Sequence, residues 1–461
     1  MTLKQKKNVG LFIYRNDYIP SWLGSGVLSE LRNQCNIIIF TTPNLVKLIE
    51  SYNEEWNHQN LKVVKIASPP NSFISSTYSF LLMLSMRRRS SSINFRLTRM
   101  KLGELRLFPR PYSISGSFFA LKYNFKSFLR YFFTLKYLNF LRLFVPLVIL
   151  LKIFKKYYDK EIYSISETLP FNLDWAVLPS GANEIYIYRL IKELNTVRIK
   201  TILCLENWDN LTSKSSVISK PDYIFVMGNN CKELATNVQN LDPKTIIVSG
   251  LPRFNLYRHY STTKKSGFKS ILKNNINVLY LGCSLPHNEI DFLNNLITKL
   301  NKSSYKNKYS FKYKPHPARR SRFFESNNLS KEVEIIKNFS KKLVPVIDES
   351  HISLLNDPDI VIATPTTMLI EAMMVGKNII VDATNDGVHR TTAALALKKY
   401  DHLNSVYSQG NLKICNTIDD VVVALEELSG NKTTVEYDLE NMIENREKNY
   451  GTHLLKVILN K

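Results

Sequence analysis

The tightest constraint on this chain is the run Asp357–Val381, DPDIVIATPTTMLIEAMMVGKNIIV, which reads as strand, turn, helix and strand with nothing to spare between them. Ile360–Ala363 is a β-branched apolar run, Thr364-Pro365-Thr366-Thr367 supplies helix-cap residues, and Met368–Val375 carries the helical pattern up to Gly376. The strand Asn378–Val381 follows at once, and two strands joined through one helix pair in parallel. Just upstream, the strand Phe311–Tyr313 runs into the motif YKPHP, Tyr313–Pro317. Both strands end on polar, turn-forming residues, at the edge where open α/β sheets bind ligands. The same rhythm opens the chain, with strands Val9–Tyr14, Asn36–Thr41 and Leu61–Ile66 around helices Val27–Asn33 and Asn44–Tyr52. It resumes with strands Trp175–Leu178, Thr201–Leu205 and Val278–Gly282, and a further strand is expected at Val344–Ile347. The predicted class is α/β, built of doubly wound parallel sheets.

A helix entered through Thr-Pro-Thr-Thr points free N–H groups and hydroxyls at its N-terminus, which suits the phosphate of a nucleotide. Glu371, one turn further in, offers a carboxylate to a ribose diol, and His316 at the tip of the preceding strand can donate to a phosphate or a leaving group. Singly, each is ordinary: proline starts many helices, and a histidine after a strand is often only a satisfied turn residue. The set is what points to a nucleotide.

The HP dipeptide, the Thr-rich turn and the EAM helix together resemble the nucleotide-binding domain of GT-B-fold glycosyltransferases. The nearest likeness is to bacterial enzymes of surface-polysaccharide assembly, such as Kdo and sialic acid transferases and the CDP-glycerol glycerophosphotransferases. The resemblance implies a GT-B fold, two Rossmann-like doubly wound domains facing a cleft, with a basic helical insertion in the first. It implies that His316, Thr366 and Thr367 contact the donor nucleotide, with Pro317 and Thr364 beside them, and that Glu371 corresponds to the EA glutamate of related nucleotide-sugar enzymes. Gly250-Leu251-Pro252-Arg253 resembles the end of the first domain in glycerophosphotransferase-like enzymes, which puts Arg253 near the cleft. Trp208–Lys214, with its WDN and LTSK, also resembles a segment of this group.

The expected organisation is an acceptor-side domain over residues 1–255 with an insertion at 71–157, a linker at 256–275, a nucleotide-sugar domain at 276–434, and a terminal helix at 435–461 packing back across both. At 461 residues two domains are the natural division. For the base that deprotonates an acceptor, Glu206 and Asp209 stand in a polar loop after a strand, with Asp17 as the alternative; an Asx-turn and helix cap account for the same loop. The turn Gly282–Glu289 and the loop Asp382–Arg390, with His389, also face the donor side, and Arg319, Arg320 and Arg322 could bind phosphate. No cofactor and no metal is expected. Asp357-Pro358-Asp359 matches D-x-D only at the entry to a strand, where Pro-Asp turns are common. Neither a Walker motif nor G-x-S-x-G occurs.

Charge bears on partners. Lys+Arg exceed Asp+Glu by 62 − 39 = 23, which calls for an anionic partner. Residues 71–157 hold 16 Lys/Arg against one acidic residue, Glu104. Phe118, Leu121, Phe125, Leu129 and Phe132 recur there at helical spacing while Lys122, Lys126 and Arg130 line another face, a basic amphipathic pattern. The apolar run Leu143–Leu151 is too short to span a bilayer, which needs roughly 17–25 residues. Contact with an anionic membrane is expected, against the alternative of a helical insertion with a solvated basic face; nucleic acid is disfavoured because no such module surrounds Arg87–Arg89. Five scattered cysteines and the absence of a secretory signal fit a cytoplasmic protein, peripheral on the inner face of the membrane. The predicted function is transfer of a sugar or sugar-like group from an activated nucleotide to a cell-envelope polysaccharide or lipid-linked precursor. A nucleotide-sugar epimerase of the same fold and a non-catalytic polyanion-binding protein are the rivals.

Overall fold

A computed structural model describes residues 6–55, 61–67, 72–101, 145–161, 169, 172–181, 184–214, 216–257, 275–303, 308–316, 328–336, 349–430, 435–444 and 448–459. Seven strands form the first sheet: β1 (Lys7–Ile13), β2 (Cys35–Thr41), β3 (Lys62–Lys65), β4 (Trp175–Ser180), β5 (Lys200–Leu205), β6 (Tyr223–Val226) and β7 (Ile246–Val248). Six form the second: β8 (Ile276–Leu281), β9 (Tyr309–Lys314), β10 (Val333–Ile335), β11 (Ile360–Ala363), β12 (Asn378–Asp382) and β13 (Lys413–Cys415). Their orders are β3-β2-β1-β4-β5-β6-β7 and β10-β9-β8-β11-β12-β13, and every ladder is parallel. The chain reverses direction across the sheet between β1 and β4, and again between β8 and β11. Those two gaps are the switch points where such sheets open a crevice.

Helices cover both faces of each sheet. The first half holds α1 (Ile19–Leu23), α2 (Val27–Gln34), α3 (Pro43–Glu55), α4 (Phe73–Met86), α5 (Ser91–Lys101), α6 (Leu147–Lys160), α7 (Ile185–Thr196) and α8 (Asn229–Asn237). The second holds α9 (Glu289–Asn301), α10 (Glu349–Asn356), α11 (Thr367–Met374), α12 (Ala393–Lys399), α13 (Asn404–Tyr407) and α14 (Ile418–Ser429), and α15 (Tyr450–Leu459) closes the chain.

Period-two alternation sorts the strand side chains. Val9, Leu11 and Ile13 pack with α2 and α15, while Phe12, Ala176, Leu178 and Leu203 turn to the other face. That second cluster continues without a break through Leu279, Leu281, Val361 and Val381 of the second sheet. At about 1.5–3 kcal/mol per fully buried large apolar side chain, this shared core joins the two halves strongly. Val278, Tyr280, Ile360 and Ile362 fill the far face of the second sheet.

After α14 the chain returns. Val435 donates to the Gly376 carbonyl at 3.0 Å, the Asn441 carbonyl accepts from Asn230 at 3.0 Å, and Glu444 donates to the Met227 carbonyl at 3.1 Å. Gly228 permits this crossing, because a Cβ there would lie 2.3 Å from the Met442 carbonyl oxygen.

The strand expected at Val344–Ile347, the linker stretch 258–274 and the amphipathic pattern Phe118–Phe132 lie outside the described residues. The edge strand beside β9 is β10, at Val333–Ile335. Among the described residues, helices α4, α5 and α6 lie in the insertion between β3 and β4.

Candidate functional site

The first switch point carries a polar knot. Just past β1, Arg15 grips Asp17 with two hydrogen bonds, 2.8 and 2.5 Å, and reaches Glu184 past β4 at 2.9 Å. Glu184 also accepts from the Tyr18 hydroxyl at 2.6 Å and the Gly181 amide at 2.8 Å. Gly181 is needed for this approach, since a Cβ on it would lie 2.3 Å from the Tyr18 hydroxyl oxygen. Glu184 is buried, whereas Arg15 and Asp17 keep part of their surface open to solvent. Asp17 is thus engaged with Arg15.

Beside this knot, at the end of β5, Glu206 is buried and accepts from the Trp22 indole at 2.6 Å and more loosely from the Ser21 hydroxyl at 3.3 Å. Burial pushes its carboxyl up to about 7, against the pull of Trp22, Arg253 and Ser21 toward the ionised form. A carboxyl at that level exchanges a proton near neutral pH. Asp209 differs. It heads the π-helical turn Asn210–Lys214, receives Lys214 at 3.0 Å, and accepts Ser213 N–H on its own carbonyl at 2.9 Å. Burial opposes its charge, yet Lys214 and then His402 hold it below the usual carboxylate range. The turn is closed through the Asp209 backbone carbonyl, while its carboxylate takes Lys214 and, at 3.4 Å, the Ser213 hydroxyl.

One guanidinium ties the two sheets together. Arg253, on the short turn after β7, donates to the Glu206 carbonyl at 2.9 Å and to the Glu371 carboxylate at 3.1 Å. The other Glu371 oxygen accepts from the Tyr257 hydroxyl at 2.6 Å. Three residues picked from the sequence, Glu206, Arg253 and Glu371, so converge on one point. Glu371 is buried there and already holds two donors of its own chain, where a ribose contact was expected.

The second switch point lies between the turn after β8 and the turn after β11. Thr364 is fully buried, and its hydroxyl finds no partner among the described residues. Thr366 stands at the N-cap of α11 with extended backbone and makes no side-chain cap bond among the described residues. Thr367 is the first helical residue, and both threonines are half-buried. His316 lies half-buried beyond β9, its amide nitrogen 3.0 Å from where a Cβ on Gly282 would sit. Pro317, Arg319, Arg320 and Arg322 fall outside the described residues.

The structure also joins two loops that are far apart in sequence. His287 pairs with Asp382 at 3.0 Å; Asp382 accepts from the Tyr280 hydroxyl at 2.8 Å, and Asp386 accepts from the Asn288 amide at 2.9 Å and from His389 Nδ1 at 2.6 Å. Burial opposes a charge on His287, but Asp382 outweighs it and raises the imidazole. The amides of His389, Val388 and Asn288 hold Asp386 down at about 2 against its partial burial. Asp359 sits at the opposite edge of the sheet, bonded to the Asn277 amide at 2.8 Å. Among the described residues no group of three or more His, Cys, Asp or Glu is placed to hold a metal.

Sequence reasoning missed Arg15 and Glu184. Arg15 stands two residues past β1 and Glu184 four past β4, at the head of α7, and only the strand order shows that those strands are neighbours.

Two parallel sheets with facing crevices, joined through Arg253, define the GT-B fold. Solved structures agree: UDP-GlcNAc 2-epimerase from Neisseria meningitidis bound to UDP-GlcNAc is similar at a TM-score of 0.51 and 12% identity, covering 99% of this chain and 100% of that one. UDP-N-acetylglucosamine 2-epimerase from Rickettsia bellii gives 0.51 and 12%, over 99% and 96%. The Methanocaldococcus jannaschii enzyme in complex with UDP-GlcNAc and UDP gives 0.50 and 11%, over 98% and 100%. No family model and no curated protein sequence matches the chain.

Proposed function

We propose that this protein is an enzyme that holds a nucleotide-activated sugar between its two sheets and transfers the sugar, or a sugar-like group, to a cell-envelope glycan or lipid-linked acceptor. The observation that carries the reading is Arg253, which binds both the backbone of Glu206 on the first sheet and the carboxylate of Glu371 on the second. On this reading the proton-exchanging carboxyl and the helix entrance of α11 serve one cleft, and the Arg253 contacts support it. In the transfer step the acceptor oxygen bonds to the anomeric carbon, its proton passes to Glu206, and the bond to the nucleotide phosphate breaks. The uncapped start of α11 and His316 meet the charge that develops on that phosphate. Residues 1–255 take the acceptor and 276–434 the nucleotide, with 256–275 linking them and 435–461 crossing back. A lipid-linked acceptor suits a protein peripheral on the inner membrane face; no described helix is long and apolar enough to cross a membrane.

An epimerase is the second reading, favoured by likeness to nucleotide-sugar epimerases over the whole chain and by a carboxyl at about 7 that can take and return a proton. Incubation with UDP-, CMP-, CDP- and GDP-sugars, with and without lipid-linked acceptor, separates the two. Free nucleotide that forms only with acceptor supports transfer. A new sugar-nucleotide isomer formed without acceptor replaces it with the epimerase, and nucleotide binding without either product rejects both.

A further inference from the structure

Helices α4 and α6 form an antiparallel pair. Ser75, in the first turn of α4, donates to Glu161 just past α6 at 2.5 Å, and Ser72 does so too. The inner face of α6, with Leu147, Leu150, Leu151 and Phe154, packs on Phe80, Leu81 and Leu84 of α4. Its outer face is apolar as well, which a merely solvated helix has no reason to be. Val148 is 62% exposed, Ile149 48%, Ile153 42% and Tyr157 55%, and Phe73 at the adjoining end of α4 is 58% exposed. Ile149, Ile153 and Tyr157 follow one another every four residues in a single stripe. Lys152, Lys156 and Lys160, all exposed, form the neighbouring stripe.

Charge selects the occupant. At the far end of α4, beside the start of α6, stand the exposed Arg87, Arg88 and Arg89. From 72 to 101 the chain has no acidic residue, and 102–144 adds seven Lys/Arg against Glu104. On α6 itself Asp159 is taken up by Lys155. A protein surface would have to match an apolar stripe and a one-sided positive field together, whereas an anionic bilayer interface offers both. At 1.5 Å per residue the 14 residues of α6 extend about 21 Å, short of the roughly 30 Å hydrocarbon core.

We propose that α6 lies flat in the headgroup region of an anionic membrane, with Ile149, Ile153 and Tyr157 inserted and Lys152, Lys156 and Arg87–Arg89 on lipid phosphates. Such docking rests on the transferase reading only for its purpose. It would bring the cleft to a membrane-held acceptor.

The test is sedimentation of the full chain with vesicles of phosphatidylcholine mixed with phosphatidylglycerol, and of phosphatidylcholine alone. Binding to the mixed vesicles is expected, weakening as salt rises. It should fall about tenfold or more in Lys152→Glu/Lys156→Glu and equally in Ile149→Glu/Ile153→Glu. Lys302→Glu/Lys331→Glu, the same charge change on the second half, should leave it intact. Undiminished binding by the Ile149→Glu/Ile153→Glu protein overturns the proposal, as does binding lost only when Lys122, Lys126 and Arg130 are replaced. A lipid-free dimer dissolved by the same isoleucine changes would give this face to a second copy of the chain and also overturns it. Melting curves with a nucleotide sugar run alongside. Lost vesicle binding with an intact nucleotide shift supports docking, while a missing shift in wild type refutes the nucleotide-sugar reading alone.

Discussion

Glu206 shows how a single residue acquires chemistry from its surroundings. At the end of a strand it was one of three candidate carboxylates; Asp17 is bonded to Arg15, and Asp209 is held below the usual carboxylate range chiefly by Lys214. Glu206 instead meets the Trp22 indole in a dry setting that lifts it to about 7. As a base it works only when ionised, so kcat/KM should rise with pH and level off above about 7. Glu206→Gln should abolish that inflection and lower turnover on the order of 10²–10⁴-fold; an unchanged profile would move the base elsewhere. On the donor side, His316→Ala should cost turnover on the order of 100-fold, as expected for losing one donor to developing charge. Thr367→Val should mainly weaken nucleotide binding, by about 1–2 kcal/mol. Separate titrations of affinity and turnover on folded protein check the division. The polar character of these positions was legible in the sequence. Their burial and partners were not, because Trp22 and Glu206 meet only when the end of β5 packs against α1.

At the level of elements, the buried Arg253–Glu371 pair links the turn after β7 to α11. Removing either partner strands a charge out of water, so Arg253→Met or Glu371→Leu alone should destabilise by about 3–5 kcal/mol. The double variant should lose clearly less than the sum, as urea unfolding of all four proteins would show. Additive losses would mean the pair is not coupled. Elements with long apolar runs were readable: β1, β2, β5, β8, β11 and β12 fall where β-branched stretches put them. The three-residue strands β10 and β13 were not read, since so short a segment has no period of its own and becomes a strand only by pairing with β9 or β12.

For the whole molecule, two buried groups titrate in opposing senses. Glu206 is raised from 4.5 to about 7, so its contribution to stability is fully present below pH 4.5 and is lost as pH rises through about 7. His402, buried against Trp208 and Tyr400, is lowered by burial from 6.5 to about 4. Its contribution is present above pH 6.5 and is lost as pH falls through about 4, on the order of 3 kcal/mol in all. Between pH 4.5 and 6.5 the two slopes oppose each other, and wild-type melting temperature should vary little from these groups. Glu206→Gln should then melt progressively lower on acidification across that window, and His402→Asn progressively higher. Parallel melting curves for all three proteins would refute the assignment. What could be known from residues alone was the α/β rhythm, the Thr-rich helix entrance and the basic insertion, because each is written in neighbouring positions through local periodicity and charge. Strand order, the meeting of Glu206, Arg253 and Glu371, and the outward apolar face of α6 were decided only by the tertiary structure. They depend on which segments distant in sequence exclude water together, and no local pattern carries that information.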